Sequence, residues 1–382
     1  MATIGGNNSV NDGLVFHYDT GNKLKSFKGE PTVNLYSEQE KINVVGGSFT
    51  TNTYENGIKT LENTIVDNSH VMWNSAAGFT VNCLIGDKIT ISAEYKTNCK
   101  ILAKVRESNT NGSVSQSTRD IEDTKGEWVR YSITVDVLVN NPLLWWYIAD
   151  YRPYSQFGKV EVRNWQCEVK PHPTPFTPTT RTATESLIDL RGNTLIDVTS
   201  TSFDSDGMYF DGIDDFVNSG LDLSWNNTNS VTIECVIHVS DLLEVRPFLG
   251  TNPYEWQFRQ NSDKLEFTYW NETGGHTNGP LPIISNFFTV NTPVHMIMTW
   301  NSITSNMNFY KNGIEVGSYL FGNPTINKVT NGTMQIGGNI YKFTNTTRFW
   351  DGQIPITKIY NKALTPEEVK RNFNAVRSRF NI

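Results

Sequence analysis

Val231-Thr-Ile-Glu-Cys-Val-Ile-His-Val239 alternates with a period of two, placing Val231, Ile233, Cys235, Ile237 and Val239 on one side. Side chains of an extended chain point alternately to opposite faces, so this pattern predicts a half-buried β-strand. The same period runs through Ile89, Ile91, Ala93 and Tyr95, and through Val129, Tyr131, Ile133 and Val135. From Met307 to Val316 the pattern folds back at Asn312-Gly313. Those two residues tolerate the positive φ angles that a two-residue hairpin turn demands. Many short strands joined by polar, Gly-rich connections predict an all-β chain of sandwich modules.

One helix stands out against this background. Thr365 is a natural N-cap, Pro366 fits the first helical position, and Glu368 completes a capping box. Val369, Phe373, Val376 and Phe380 then form a single apolar stripe that predicts docking on a sheet.

The bulk numbers agree with a packed β protein. Of 382 residues, 37% are apolar, 19% are charged and 12% are aromatic, with 10 Trp, 15 Tyr and 20 Phe. That length suffices for two or three domains, and flat aromatic side chains pack well across strands. The net charge of −7 and the absence of any Lys/Arg run speak against a nucleic-acid partner, which would need cations to displace phosphate counterions. No apolar stretch reaches 18 residues, so no membrane span is expected. The start, Met1-Ala-Thr-Ile-Gly-Gly-Asn-Asn-Ser9, lacks the basic and apolar regions of a standard secretion signal, and residues 1–12 are expected to form a flexible arm. Cys83, Cys99, Cys167 and Cys235 have no paired spacing and sit in strand-like contexts, as free buried thiols made in a reducing cytoplasm would.

Pro171-His-Pro-Thr-Pro-Phe-Thr-Pro178 carries four prolines in eight residues and predicts a linker or a crossing at a sheet edge. It separates two different strand-rich regions.

Three groups of side chains qualify as candidate sites. Asp211, Asp214 and Asp215 surround Gly212 and offer the oxygen ligands that calcium takes, though Asp and Gly are equally the ordinary residues of a tight turn. Trp145-Trp146-Tyr147 on a strand would send Trp146 to one face and its neighbours to the other. One face would be core and the other a platform on which the apolar face of a sugar stacks. Trp270 and His276, with Asn271-Glu-Thr-Gly-Gly between them, give a similar aromatic and polar mixture. Catalytic apparatus is absent from the sequence: no strand carries carboxylates spaced for two-carboxylate glycoside hydrolysis, and Glu234 stands alone on its strand. The six histidines show no metal-ligand spacing.

A family resemblance adds to this reading. Met208-Tyr-Phe-Asp-Gly-Ile-Asp-Asp-Phe-Val217, Val231-Thr-Ile-Glu-Cys-Val236, His295-Met-Ile-Met-Thr-Trp300, Phe309-Tyr-Lys-Asn-Gly313 and Phe349-Trp-Asp-Gly352, in that order, resemble the concanavalin A-like jelly roll of the laminin-G type. The closing Ala363-Leu-Thr-Pro-Glu-Glu-Val-Lys-Arg-Asn-Phe-Asn-Ala375 resembles versions found in phage structural proteins. The family's opening strand resembles Gly13-Leu-Val-Phe-His-Tyr-Asp-Thr-Gly-Asn22, and the segment that normally follows it resembles Leu187-Ile-Asp-Leu-Arg-Gly-Asn193. The wide gap between them implies an insertion: residues 13–30 plus 183–382 would form the concanavalin A/laminin-G-like sandwich, and residues 31–182 an inserted module. Within the insert, Gly86-Asp-Lys-Ile-Thr-Ile-Ser-Ala-Glu-Tyr95 and Gly126-Glu-Trp-Val-Arg-Tyr-Ser-Ile-Thr-Val135 resemble strands of a carbohydrate-binding-module-like jelly roll.

The resemblance implies a non-enzymatic virion protein, a capsid fibre, decoration or tail appendage made in the host cytoplasm. Its expected partners are other virion proteins, surface polysaccharide and further copies of itself in a homo-oligomer. Laminin-G-type domains often bind calcium, which keeps that cofactor open. Two other functions compete: a cellular glycan-binding adhesin, and a polysaccharide hydrolase. A fold of this type hosts lectins and hydrolases alike, so the residues of the site must decide.

Overall fold

The computed structural model describes residues 9–36, 44–45, 51–63, 72–75, 79–109, 112–150, 158–204, 207–223, 229–252, 256–270, 276–277, 282–320, 332–338 and 348–382. The chain forms two compact units, one from residues 1–31 and 182–382, the other from residues 32–181. Both are antiparallel β-sandwiches, and the second is spliced into the first.

In the split unit, one sheet has eight strands. Its path runs Ser202–Phe203, Met208–Asp211, Asp351–Tyr360, Val231–Val239, Val294–Asn301, Asn306–Lys311 and Ile314–Leu320, with Leu14–Asp19 also paired to Asp351–Tyr360. The register sets Phe16 against Ile359 and Tyr18 against Thr357. Phe16 and Tyr18 are fully buried in the core, and the Tyr18 hydroxyl donates to the Ile354 carbonyl at 2.7 Å. The strand near the start of the chain therefore completes the carboxy-terminal sandwich. The facing sheet has seven strands, with Val217–Asn218, Thr333–Ile336, Val245–Asn252, Trp256–Asn261 and Lys264–Trp270 side by side. Between the sheets lie Ile233, Cys235, Ile237, Phe248, Trp256, Phe258, Met296, Trp300, Phe309 and Trp350.

Val231–Val239 departs from the half-buried expectation, because both of its faces are covered. The odd-numbered residues enter the core as the alternation predicts, while Val236 on the other side packs with Ile356 and Val376. The cover is the Pro366–Phe380 helix. Thr365 Oγ1 accepts from the Glu368 amide at 3.3 Å and the Glu368 carboxylate accepts from the Thr365 amide at 3.0 Å, the expected capping box. Val369, Phe373 and Val376 face inward. The hairpin turn also forms, with φ of 52° at Asn312 and 74° at Gly313. A Cβ at Gly313 would lie 2.8 Å from the Phe373 ring, so glycine serves both the turn and the docking of the helix.

The inserted unit has a five-stranded sheet (Val129–Asp136, Lys88–Thr97, Gly158–Glu168, Ile58–Asn63, Thr51–Glu55) and a six-stranded one built around Gly112–Ile121, Ile101–Asn109 and Leu143–Asp150. Ile89, Ile91, Ala93, Tyr95, Ala103, Val105, Trp146 and Trp165 fill the space between them. Its two ends pair antiparallel, Thr32–Val33 with Thr180–Arg181, so entry and exit lie side by side. An insertion with adjacent ends adds little closure entropy to its host.

The proline-rich run is pinned down. Glu168 accepts from the Thr174 amide (2.9 Å), the Thr174 hydroxyl (2.7 Å) and the Thr32 hydroxyl (2.8 Å), while the Gln166 side-chain oxygen accepts from the Thr177 amide (2.8 Å). The arm expected over residues 1–12 needs correction as well. Residues 1–8 lie outside the described residues, but Val10 is buried and tied to the helix, so the docked chain already begins by Val10. All four cysteines are buried, and none forms a disulfide. Among the described residues no helix is long and apolar enough to cross a membrane.

Candidate functional site

Strand parity decides the Trp145-Trp146-Tyr147 candidates. Trp146 points into the core, 1% exposed, with its ring edge-on to Trp165 at 4.7 Å and to Tyr36 at 5.8 Å. It is a packing residue, and its assignment as a sugar contact is withdrawn: no ligand reaches a ring enclosed by both sheets. Trp145 stands on the outer face, partly buried, with the Arg106 guanidinium carbon 5.1 Å from its ring centroid. The register places Arg106 opposite Trp145 and Lys104 opposite Tyr147, so all four positions share that face. The Tyr147 side chain lies outside the described residues.

In the split unit, the register sets Trp270 directly opposite His276 at one edge of the seven-stranded sheet. Their side chains lie outside the described residues, but their backbone positions do not. Position 270 follows Glu266 and Thr268 on the face turned away from the core, since Leu265 and Phe267 face inward.

That outer face carries a feature the sequence reading missed. Cross-strand pairing lines up Asn218, Gln335, Gly250, Gln257 and Thr268 in one row. Gln335 is 5% exposed, Gln257 1% and Thr268 2%, although none belongs to the hydrophobic core. The Gln257 side-chain oxygen is buried and has no donor among the described residues. In the next row, Glu266 accepts from Arg259 Nε at 2.7 Å and from Asn261 Nδ2 at 2.8 Å, so its charge is neutralised within the sheet. The only trace in the sequence was the alternation of Gln257, Arg259 and Asn261 with Trp256 and Phe258, which looks like any solvent-facing strand.

The three aspartates do come together: Asp211, Asp214 and Asp215 each place a carboxylate oxygen within 4.8 Å of the others. Their hydrogen bonds are those of a turn. Asp211 Oδ1 accepts from the Ile213 amide (2.8 Å), and Asp215 accepts from the Asp211 amide (2.8 Å) and the Ser202 hydroxyl (3.1 Å). The Gly212 carbonyl, which could have added a ligand, already accepts from Arg246 at 3.3 Å. A guanidinium beside the cluster and oxygens spent on closing the turn do not fit a calcium cage, which needs six to eight oxygens.

Burial, with the charges of Asp211 and Asp214 adding to it, pushes the Asp215 carboxyl up to about 6. Its folded value lies above its unfolded one, so stability falls as pH rises from the ordinary carboxylate range through 6. Asp215→Asn is therefore expected to stabilise the unit at neutral pH by about 1–2 kcal/mol. Thermal unfolding with and without calcium checks this. A calcium-dependent rise in midpoint for the wild type, lost in the variant, would restore the metal reading.

Glu234 is not alone, as its strand suggested, but the centre of a sealed network. Its carboxylate accepts from Lys358 Nζ (2.7 Å) and from Asn372 Nδ2 (2.6 Å), and lies 3.4 Å from the Tyr360 hydroxyl oxygen and 3.1 Å from His295 Nε2. Asn372 Oδ1 accepts from the Val10 amide at 2.7 Å, the Tyr360 hydroxyl donates to the Val10 carbonyl at 3.2 Å, and Lys358 reaches Ser9 Oγ at 3.2 Å. Burial alone would push Glu234 up, but Lys358 and His295 outweigh it and hold the carboxyl well below the usual carboxylate range. Glu234 and His295 are wholly inaccessible. The cluster fastens residues 9–10 and the Pro366–Phe380 helix to the sheet, and it offers no surface to a substrate.

No curated protein matches the chain in sequence. Among solved structures, the binding domain of Paraclostridial Mosquitocidal Protein 1 is 18% identical with a TM-score of 0.36, over 50% of this chain and 49% of that one. The botulinum neurotoxin type G receptor binding domain is 15% identical with a TM-score of 0.36, over 50% and 48%. A Ruminococcus gnavus sialidase CBM40 bound to α2,3-sialyllactose is 12% identical with a TM-score of 0.32, over 37% and 80%. The chain spans about half the length of the first two. Within the split unit, residues 211–370 match the family model of the concanavalin A-like lectin/glucanases superfamily.

Proposed function

We propose that the chain is a non-enzymatic glycan-binding protein of a phage virion, a fibre, decoration or tail appendage that uses lectin-like sandwiches for attachment. The observation that carries the binding role is the outer face of the inserted unit, where Trp145 stands partly buried with the Arg106 guanidinium carbon 5.1 Å from its ring centroid. The outer face of the seven-stranded sheet carries a row of amide and hydroxyl side chains that are themselves buried. Trp270 and His276 close the same face at its edge. Hydrolysis of a glycosidic bond takes two carboxylates flanking it. On the described strands of this face that pair with one another, Glu266 is matched by Arg259 and Asn261 instead. The Tyr147 position beside Trp145 extends the aromatic face of the inserted unit. The virion assignment rests on the likeness of Ala363–Ala375 to phage structural proteins.

Glycan arrays on the full chain test the binding role. Trp145→Ala and Trp270→Ala are each expected to weaken binding about tenfold, the size of one lost stacking contact, with an unchanged thermal midpoint. A wild-type chain that binds no glycan, with or without calcium, would sink it. A mass-spectrometric inventory of purified particles tests the virion role, and absence of the chain from them would favour a cellular adhesin.

A further inference from the structure

The two sheets of the inserted unit carry charge differently on their outer faces. On the five-stranded sheet cations alternate with acids. Arg163 Nε lies 2.7 Å from a Glu94 carboxylate oxygen, Arg130 stands opposite Glu94 in the register, and Lys96 and Lys159 share Glu161 at 3.1 and 3.0 Å.

The six-stranded sheet is different. Its strand Ile101–Asn109 pairs with Gly112–Ile121 on one side and Leu143–Asp150 on the other. Ala103, Val105 and Trp146 face the core, so Lys104, Arg106 and Trp145 face out. One outward row reads Trp145, Arg106, Gln116, and the next reads Tyr147, Lys104, Thr118. The irregularity in the pairing falls between Ser113 and Ser115, outside both rows, so the members of each row share the face. No residue opposite Arg106 or Lys104 is acidic. Asp120, further along the same face, lies 2.8 Å from Lys100. Trp145, Arg106 and Lys104 are half-buried and Gln116 and Thr118 exposed, so solvent reaches both rows. In a chain of net charge −7, two cations beside an outward aromatic ring reverse the local sign.

We propose that this face binds an acidic glycan, a polymer whose sugars bear carboxylates. The inference rests on the glycan-binding reading and names the class of sugar. One sugar ring lies along Trp145 while a carboxylate of the polymer meets the guanidinium of Arg106. The guanidinium carbon stands 5.1 Å from the Trp145 ring centroid, so the fork is steadied against the indole. Its planar geometry matches a carboxylate with two parallel N–H donors. Lys104, one row on and about 7 Å along the strand, supplies a point charge for a neighbouring carboxylate. The exposed Gln116 amide and Thr118 hydroxyl suit sugar hydroxyls. A neutral glycan would use the ring and leave both cations without a role in binding.

Binding of the full chain to polygalacturonate, alginate and polysialic acid, each beside its carboxyl-reduced form, tests it. The first two carry uronates and the third a sialate, so the three arms separate the sources of the carboxylate. At least one acidic polymer is expected to bind about tenfold or more tightly than its reduced form, and to weaken as salt rises from about 0.05 to 0.5 M. Arg106→Gln is expected to lower affinity for that polymer about tenfold with an unchanged thermal midpoint, and Arg106→Lys, which keeps the charge and loses the fork, to fall between. Acidic and reduced forms that bind equally, or neutral glycans that bind where no acidic one does, would overturn the inference and leave the glycan reading standing. Binding to no glycan of either kind would remove both. Dextran sulfate bound as tightly as the carboxylated polymers, with no response to Arg106→Gln, would show a general attraction of polyanions and overturn the inference as well.

Discussion

Lys358→Met is expected to destabilise the split sandwich by about 3–5 kcal/mol, because it strands the Glu234 carboxylate in a site closed to water. The remaining partners, Asn372, Tyr360 and His295, do not replace the lost cation in kind. Removing both charges is a different experiment. Glu234→Met with Lys358→Met deletes the desolvation cost along with the attraction, and such replacements are often neutral or stabilising. The double variant is therefore expected to recover most of the loss while releasing Val10, whose amide and carbonyl are held by Asn372 and Tyr360. Hydrogen exchange resolved by segment checks both statements, since it reports each unit separately where a single melting curve would not. A loss below about 1 kcal/mol for Lys358→Met would mean that the pair is not a working part of the fold. The sign of the pH response follows from the depressed Glu234 carboxyl. The stability it confers is complete above the ordinary carboxylate range and is lost only as pH falls through the much lower folded value, so the fastening persists in mild acid.

Trp146→Ala is expected to cost the inserted sandwich about 3–5 kcal/mol, the usual penalty for emptying a large aromatic site that the surroundings cannot refill. Trp165 and Tyr36 both lean on that ring. Trp145→Ala removes a residue from the outer face of the same strand and is expected to leave exchange rates in the inserted unit nearly unchanged. The contrast between adjacent tryptophans separates packing from recognition. Equal losses from the two would show that Trp145 is also part of the core.

The sequence carried much of this architecture because its signals were local. Alternation over Val231–Val239 identified the core face, the Thr365-Pro366 start fixed the helix, and Asn312-Gly313 fixed the hairpin. It could say that Trp146 and Trp145 differ, because parity is local, but not which of them faces the core, because that depends on the partner sheet. The Glu234 network was out of reach for a similar reason. Its members come from positions 10, 234, 295, 358, 360 and 372, and no spacing rule links them. The Gln257 row was hidden too, since polar residues on an outer strand face ordinarily mean only water. The aspartates show the opposite failure: their proximity was legible, but the amides that consume their oxygens were not.

The pairing of Leu14 with Tyr360 also sets a timetable for the ribosome. Leu14–Asp19 must wait for Asp351–Tyr360, an interval of roughly 20–70 s at typical elongation rates. The insert has all of its strands by Arg181 and can close long before then. During that wait Phe16 and Tyr18 have no sheet to enter. The host sandwich is therefore completed by capturing a strand that has stood idle, and the nascent chain is most exposed to mispairing at that strand.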